Sequence, residues 1–184
     1  MQNGYDVFPL FINYGQITAK SEQKASSLVS EYLGINPLKT IDVTACGGIV
    51  KTALCGSLKF SPGKNNNGSL EYFPHRNLLL VSIGAVYASS INSKYIGVGI
   101  LTIGEPQYPD ISVKFVHAVD HLLKISGSCR FIAPFSLMSK SKIVQYGLMS
   151  GFDYNLTFSC NTGGSRHCGR CYSCIARKSV LYGK

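Results

Sequence analysis

No stretch of this 184-residue chain reaches the roughly 18 uninterrupted apolar residues that a membrane-spanning helix needs, and the opening MQNGYDVFPL lacks a basic region followed by an apolar run. A soluble, cytoplasmic protein without a membrane partner is therefore expected. Neither G-x-S-x-G nor G-x-G-x-x-G occurs, which excludes the nucleophile-elbow and dinucleotide-fingerprint readings. Internal repeats and coiled-coil heptads are absent too. Acidic side chains are scarce: 9 Asp+Glu stand against 18 Lys+Arg, for a formal charge of +9. That excess favours polyanionic partners such as nucleotides, pyrophosphate or RNA. The basic residues are scattered, dense only at 140–142 and 166–178, so no extended nucleic-acid stripe is evident.

Cysteine, by contrast, is plentiful and odd in number at 7. Cys46, Cys55 and Cys129 show no mutual spacing logic, as expected of core or surface thiols in a reducing compartment. Cys160, Cys168, Cys171 and Cys174 instead form C-x7-C-x2-C-x2-C. Two-residue gaps let successive thiolates reach one ion, and the longer loop lets the first ligand close a tetrahedron, so a structural Zn²⁺ site is expected. Two disulfides or four buried thiols are the competing readings. Gly163, Gly164 and Gly169 permit tight turns, and Arg166, Arg170, Arg177 and Lys178 are placed to offset the negative cluster or donate to its sulfurs. His167 is expected outside the ligand shell.

Apolar periodicity alternates between strand and helix. Residues 7–14, 38–43, 95–100 and 130–135 read as strands. Ala25, Leu28, Val29, Tyr32 and Leu33 share one helix face that ends at Gly34; further helices are expected at 77–90, at 139–149 and around Phe115, Val116, Val119, Leu122 and Leu123. Such alternation implies an α/β fold, a Rossmann-like parallel sheet with helices on both faces and a small zinc knuckle after it. Residues 60–69, rich in Asn, Gly and Pro, read as a mobile loop. His117 and His121 lie i, i+4 beside Asp120 but have no third ligand, so a solvated helix face is expected there.

Open parallel sheets bind ligands beyond the C-terminal ends of their strands. Tyr14-Gly15-Gln16, Arg76-Asn77 and Tyr108-Pro109-Asp110 fall in such places. A guanidinium at a helix start suits phosphate or carboxylate, an aspartate accepts two N–H donors from an aminopyrimidinone edge, and a tyrosine stacks on a purine-like ring.

Taken in order with Ala133-Pro134-Phe135, Lys140 and the four-cysteine tail ending in Arg177, these segments resemble the 7-cyano-7-deazaguanine synthase family over almost the whole chain. The resemblance implies a Rossmann-like ATP-pyrophosphatase fold and ATP-dependent conversion of 7-carboxy-7-deazaguanine and ammonia to the nitrile in queuosine biosynthesis. It further implies a substrate pocket from Tyr14, Gln16, Arg76, Asn77, Tyr108, Asp110 and Lys140, and ATP with Mg²⁺ beside the zinc; no catalytic residue is assigned. The family's phosphate loop, Ser-Gly-Gly-x-Asp-Ser, would precede Gly4, so the expected division is residues 1–155 as an α/β domain without that loop and 156–184 as the zinc tail. A homodimer, or a partner supplying the loop, is expected with it. The internal alternatives are Cys46-Gly47-Gly48, which follows a strand, and Gly163-Gly164-Ser165, which belongs to the knuckle. His75 stands where the family usually has glycine, Ile111 where it often has cysteine, and 104–107 replace an acidic Ser-Gly run. Two other readings fit the same residues: an inactive zinc-bearing module that binds a nucleobase or RNA, and a defence-associated relative that attaches a deazapurine to a partner.

Overall fold

The computed structural model describes residues 4–59, 69–103, 108–127 and 129–183. In chain order the elements are β1 (Leu10–Asn13), α1 (Ala19–Tyr32), β2 (Lys39–Asp42), α2 (Ala45–Gly48), α3 (Arg76–Ser90), β3 (Tyr95–Gly97), α4 (Val113–Ser126), β4 (Arg130–Ile132), α5 (Lys140–Met149) and α6 (Tyr172–Tyr182). Single 3-10 turns occur at Ala53–Cys55, Ser69–Glu71, Pro109–Ile111 and Tyr154–Leu156. The expected loop at 60–69, except Ser69, and residues 104–107 lie outside the described residues.

Two compact units divide the chain. The first joins Met1–Phe73 to Gly151–Lys184; the second is Pro74–Ser150. Each holds one parallel strand pair: β1 beside β2, from Leu10 opposite Lys39 to Asn13 opposite Asp42, and β3 beside β4, from Tyr95 opposite Arg130 to Gly97 opposite Ile132. Parallel neighbours need a helical crossover, and α1 and α4 supply it. This is the α/β class that the alternating pattern implied. No helix among the described residues is long and apolar enough to cross a membrane.

In the first unit, α1 starts at Ala19, well before the expected apolar stripe. Its first turn is organised by Glu22, whose carboxylate accepts from the Thr18 hydroxyl at 2.5 Å and from Gln16 Nε2 at 3.0 Å. The stripe is not a core face: Leu28, Tyr32 and Leu33 are 37–50% exposed, while Ser30 is buried. Tyr32 explains part of this departure. Its hydroxyl donates to the Gly151 carbonyl at 2.6 Å and its ring meets Phe152 edge-on, so Tyr32 rests on the returning chain.

The second unit has an ordinary apolar core of Val81, Ile100, Val119, Leu123, Cys129 and Phe131. Of the two places open to it, core or surface, Cys129 takes the core. Gly84 brings α3 close to β3, since a Cβ there would stand 3.5 Å from the Ile96 side chain. Ser112 caps α4 by accepting from the Phe115 N–H at 3.1 Å, and Phe115, Val116, Val119 and Leu123 turn inward. Leu122, expected on that face, is 51% exposed.

Asp120 ties α4 to β4. Its carboxylate accepts from Arg130 Nε and Nη2 at 2.9 and 3.1 Å, from the Phe131 N–H at 3.0 Å, and pairs with Lys124 Nζ at 2.9 Å. His117 and His121 are exposed beside a carboxylate already engaged. Hydrogen bonds from Arg130 and then Lys124 hold the Asp120 carboxyl far below its ordinary range. A depressed carboxyl contributes stability that is present above the unfolded value near 4 and is lost as pH falls below it. Asp120→Asn should therefore destabilise the chain by about 1–2 kcal/mol at pH 7, with a smaller difference at pH 3. Urea melts at both pH values check this, and an equal difference at the two would contradict it.

Candidate metal centre and ligand-binding turns

Four sulfurs meet at the end of the first unit. The Sγ atoms of Cys160, Cys168, Cys171 and Cys174 all lie within 4.8 Å of one another, and Cys168 and Cys174 are 3.9 Å apart. A tetrahedral Zn–S shell at about 2.3 Å has edges of about 3.8 Å, so this set could hold a zinc ion. Among the described residues it is the one cluster of His, Cys, Asp or Glu with that geometry.

The backbone prepares the sulfurs for charge. Cys168 Sγ accepts from the Arg170 and Cys171 amides at 3.4 and 3.3 Å, Cys160 Sγ from the Cys168 amide at 3.4 Å, and Cys171 Sγ from the Cys174 amide at 3.4 Å. Gly169, at φ +72°, turns the chain between Cys168 and Cys171 so that these amides face inward. The last of the four bonds makes Cys171 the N-cap of α6, a helix the sequence pattern did not announce. Its positive end thus points at the thiolates. The Thr162 hydroxyl lies 3.1 Å from Cys160 Sγ, and among the neighbouring basic side chains Arg177 donates not to sulfur but to the Thr157 hydroxyl at 2.6 Å and to the Tyr154 carbonyl.

Burial raises the Cys168 thiol, but the Arg170 and Cys171 amides outweigh it and bring the value down to about 6. Burial drives Cys171 upward and Cys174 to about 12. Cys168 is thus ready to ionise, while burial opposes ionisation of Cys171 and Cys174 in the absence of a cation. A soft dication meets that demand. His167 stays outside the shell. Burial and then the charge of Arg177 lower its imidazole below the ordinary value, so Nε2 is neutral and accepts from the Ser159 amide at 3.2 Å, with the ring 5.1 Å from Phe158.

The turn after β1 is built tightly in the same unit. The Tyr14 amide donates to Gln16 Oε1 at 2.9 Å, while Gln16 Nε2 donates to the Ile12 carbonyl and Glu22. Gln16 is only 4% exposed, so its amide group serves the turn itself. The Tyr14 ring is also buried, edge-on to Phe73 with centroids 5.3 Å apart. Cys46-Gly47-Gly48 does not form an open cradle; it is part of α2, where a Cβ on Gly47 would sit 2.5 Å from the Tyr14 carbonyl oxygen. Glu22, which supports this turn, lies ahead of the apolar stripe that marks the helix, and no sequence pattern points to it.

The other ligand candidates belong to the second unit. Asp110 and Asn77 meet there: the Asn77 amide donates to Asp110 Oδ2 at 3.0 Å and Asn77 Nδ2 to the Asp110 carbonyl at 2.9 Å. Arg76 is the half-buried first residue of α3 and has no ion-pair partner among the described residues. Tyr108 caps the 3-10 turn that carries Asp110, and Lys140 opens α5. His75 enters α3 at φ 57°, in the left-handed region that glycine occupies without steric cost.

A parallel α/β chain with a four-thiol centre beside the turn of its first strand belongs to the class of α/β proteins whose cysteine cluster could hold a metal ion. More particularly, the chain is a member of the queuosine biosynthesis protein QueC family, whose model matches residues 1–183. It is 32% identical to the 7-cyano-7-deazaguanine synthase of a Marinomonas species, over 96% of this chain and 82% of that protein. The protein of the same name from Caldicellulosiruptor bescii is 33% identical over 95% of this chain and 80% of its own length. That of Methanothermobacter thermautotrophicus is 30% identical over 98% and 86%.

Cys171→Ser should leave less than about half an equivalent of zinc in freshly purified, reduced protein and cost about 3 kcal/mol or more, lowering Tm by about 6–12 °C. Elemental analysis and calorimetry check this; parental metal content and Tm would count decisively against a structural site. His75→Gly should stabilise the second unit by about 0.5–1 kcal/mol by relieving the left-handed backbone. A denaturant melt no higher than the parent's would contradict it.

Proposed function

We propose that this chain is a 7-cyano-7-deazaguanine synthase, joining 7-carboxy-7-deazaguanine and ammonia to form the nitrile with consumption of two ATP. The observation that carries the reading is the family match along residues 1–183, which takes in both the β1 turn and the four-cysteine tail. A carboxylate is a poor electrophile. Adenylation from ATP with Mg²⁺ releases pyrophosphate and supplies a leaving group that ammonia displaces, and a second activation removes the amide oxygen.

Within this proposal, Arg76 meets the substrate carboxylate or a phosphate, because a guanidinium at the start of α3 adds its charge to the helix dipole. Asp110 commits Oδ2 to the Asn77 amide, and Oδ1 accepts from the aminopyrimidinone edge. Asn77 keeps that carboxylate in place. Tyr108 and Lys140 complete the contacts in the second unit, while Tyr14 and Gln16 shape the turn of the first. The four cysteines hold zinc as a structural ion, since a closed sulfur shell leaves no position for substrate.

Calorimetry with 7-carboxy-7-deazaguanine tests the reading. Arg76→Ala should weaken binding by about 1.5–3 kcal/mol, roughly 10- to 150-fold, with Tm nearly unchanged. Binding as tight as the parent's would place the carboxylate elsewhere. Steeply salt-dependent RNA affinity without deazaguanine affinity would replace the enzyme by an RNA-binding module.

A further inference from the structure

The loop between the first two metal ligands leans on the turn after β1. Ile17, the residue just past that turn, lies between two glycines with positive φ. A Cβ on Gly56 would be 3.1 Å from Ile17 Cγ2, and one on Gly163 would be 3.4 Å from Ile17 Cδ1. The Ile17 amide donates to the Leu54 carbonyl at 2.8 Å, and Ser21, in the first turn of α1, donates its hydroxyl to the Gly164 carbonyl at 3.1 Å. At the loop's start, Asn161 Nδ2 donates to Glu71 at 3.0 Å and to Ser173 at 3.1 Å. The loop therefore touches the β1–α1 turn through a side-chain contact and a hydrogen bond, and both bonding residues of the loop stand between ligands.

We propose that the Cys160–Cys168 loop is the positioning element of the β1–α1 turn, with Gly163 against Ile17 and Gly164 against Ser21 as the contacts that link metal binding to the shape of residues 14–17. Gly163 and Gly164 are conformationally permissive, so the loop keeps one shape only while the sulfurs at its two ends are anchored. Release of the metal frees the loop and removes one wall of the Ile17 site. Linkage is reciprocal: whatever loosens the turn contact also weakens metal retention. A consequence for 7-carboxy-7-deazaguanine affinity rests on the function proposed above; the contact itself does not.

Hydrogen exchange on the full chain, zinc-loaded and chelator-stripped, tests the link. The amides of Ile17 and Ala19, bonded to the Leu54 and Gln16 carbonyls, should exchange at least about ten-fold faster after stripping, while Val98 and Arg130 in the other unit keep their rates. Unchanged exchange at residues 17 and 19 overturns the proposal. If Val43, bonded to the Asn13 carbonyl, also loses protection, the first unit has opened as a whole and the variants decide. Ile17→Ala and Ser21→Ala leave every cysteine intact; in competition with a chromophoric chelator each should retain zinc about three- to ten-fold less well. Parental retention in both variants overturns the link. Calorimetry of the same variants separates the two readings. A parent chain with no deazaguanine affinity defeats the substrate assignment and leaves the chelator result to stand for the coupling; a binding parent with equally tight variants confines the coupling to metal and loop.

Discussion

Four thiols held within 4.8 Å of each other create an electrostatic demand that the surrounding backbone amides meet at Cys168 but not at Cys171 or Cys174. Amides from residues 168, 170, 171 and 174 stabilise part of the charge, but burial opposes ionisation of Cys171 and Cys174. The first unit is arranged around that unmet demand. The chain leaves its N-terminal strands and helix, passes through the other unit and returns to place the sulfurs beside the elements where it began. Arg177 anchors the return at Tyr154 and Thr157, and Tyr32 does so at Gly151 and Phe152.

Scarcity of acid acquires a structural meaning here. Of 9 acidic residues, Asp6, Glu22, Asp42, Glu71, Asp110, Asp120 and Asp153 accept hydrogen bonds from within the protein. They cap turns, start helices and join α4 to β4. Lysine and arginine outnumber the carboxylates 18 to 9, a field that draws anionic small molecules towards the chain.

The four-cysteine cluster was legible because its spacing is itself a geometric statement, and the alternation of strands and helices was legible because α4 and α5 carry their own serine caps and α3 and α4 their apolar faces. Other features depend on tertiary contact. The start of α1 is set by Glu22 bonding back to Thr18 and Gln16, whereas the visible apolar stripe begins later and rests on residues 151–154. Gly47 resembled a phosphate loop in one dimension; in space it is the close backbone contact of Tyr14. Asp110 and Asn77 were each readable as candidate pocket residues, but their mutual bonding spans 33 positions and no local pattern reveals it. The helix α6 was hidden because its cap is a cysteine already read as a ligand.

That double use of Cys171 has a consequence for the folding of the chain. An 11-residue helix is too short to persist alone in water, and this one begins at a sulfur whose orientation depends on three others. The shell needs Cys174, inside α6, as well as Cys160, so a metal ion held by the four sulfurs would couple its own capture to the formation of this helix. Supply of such an ion, rather than the intrinsic helix preference of residues 172–182, would then set when this segment becomes resistant to proteolysis.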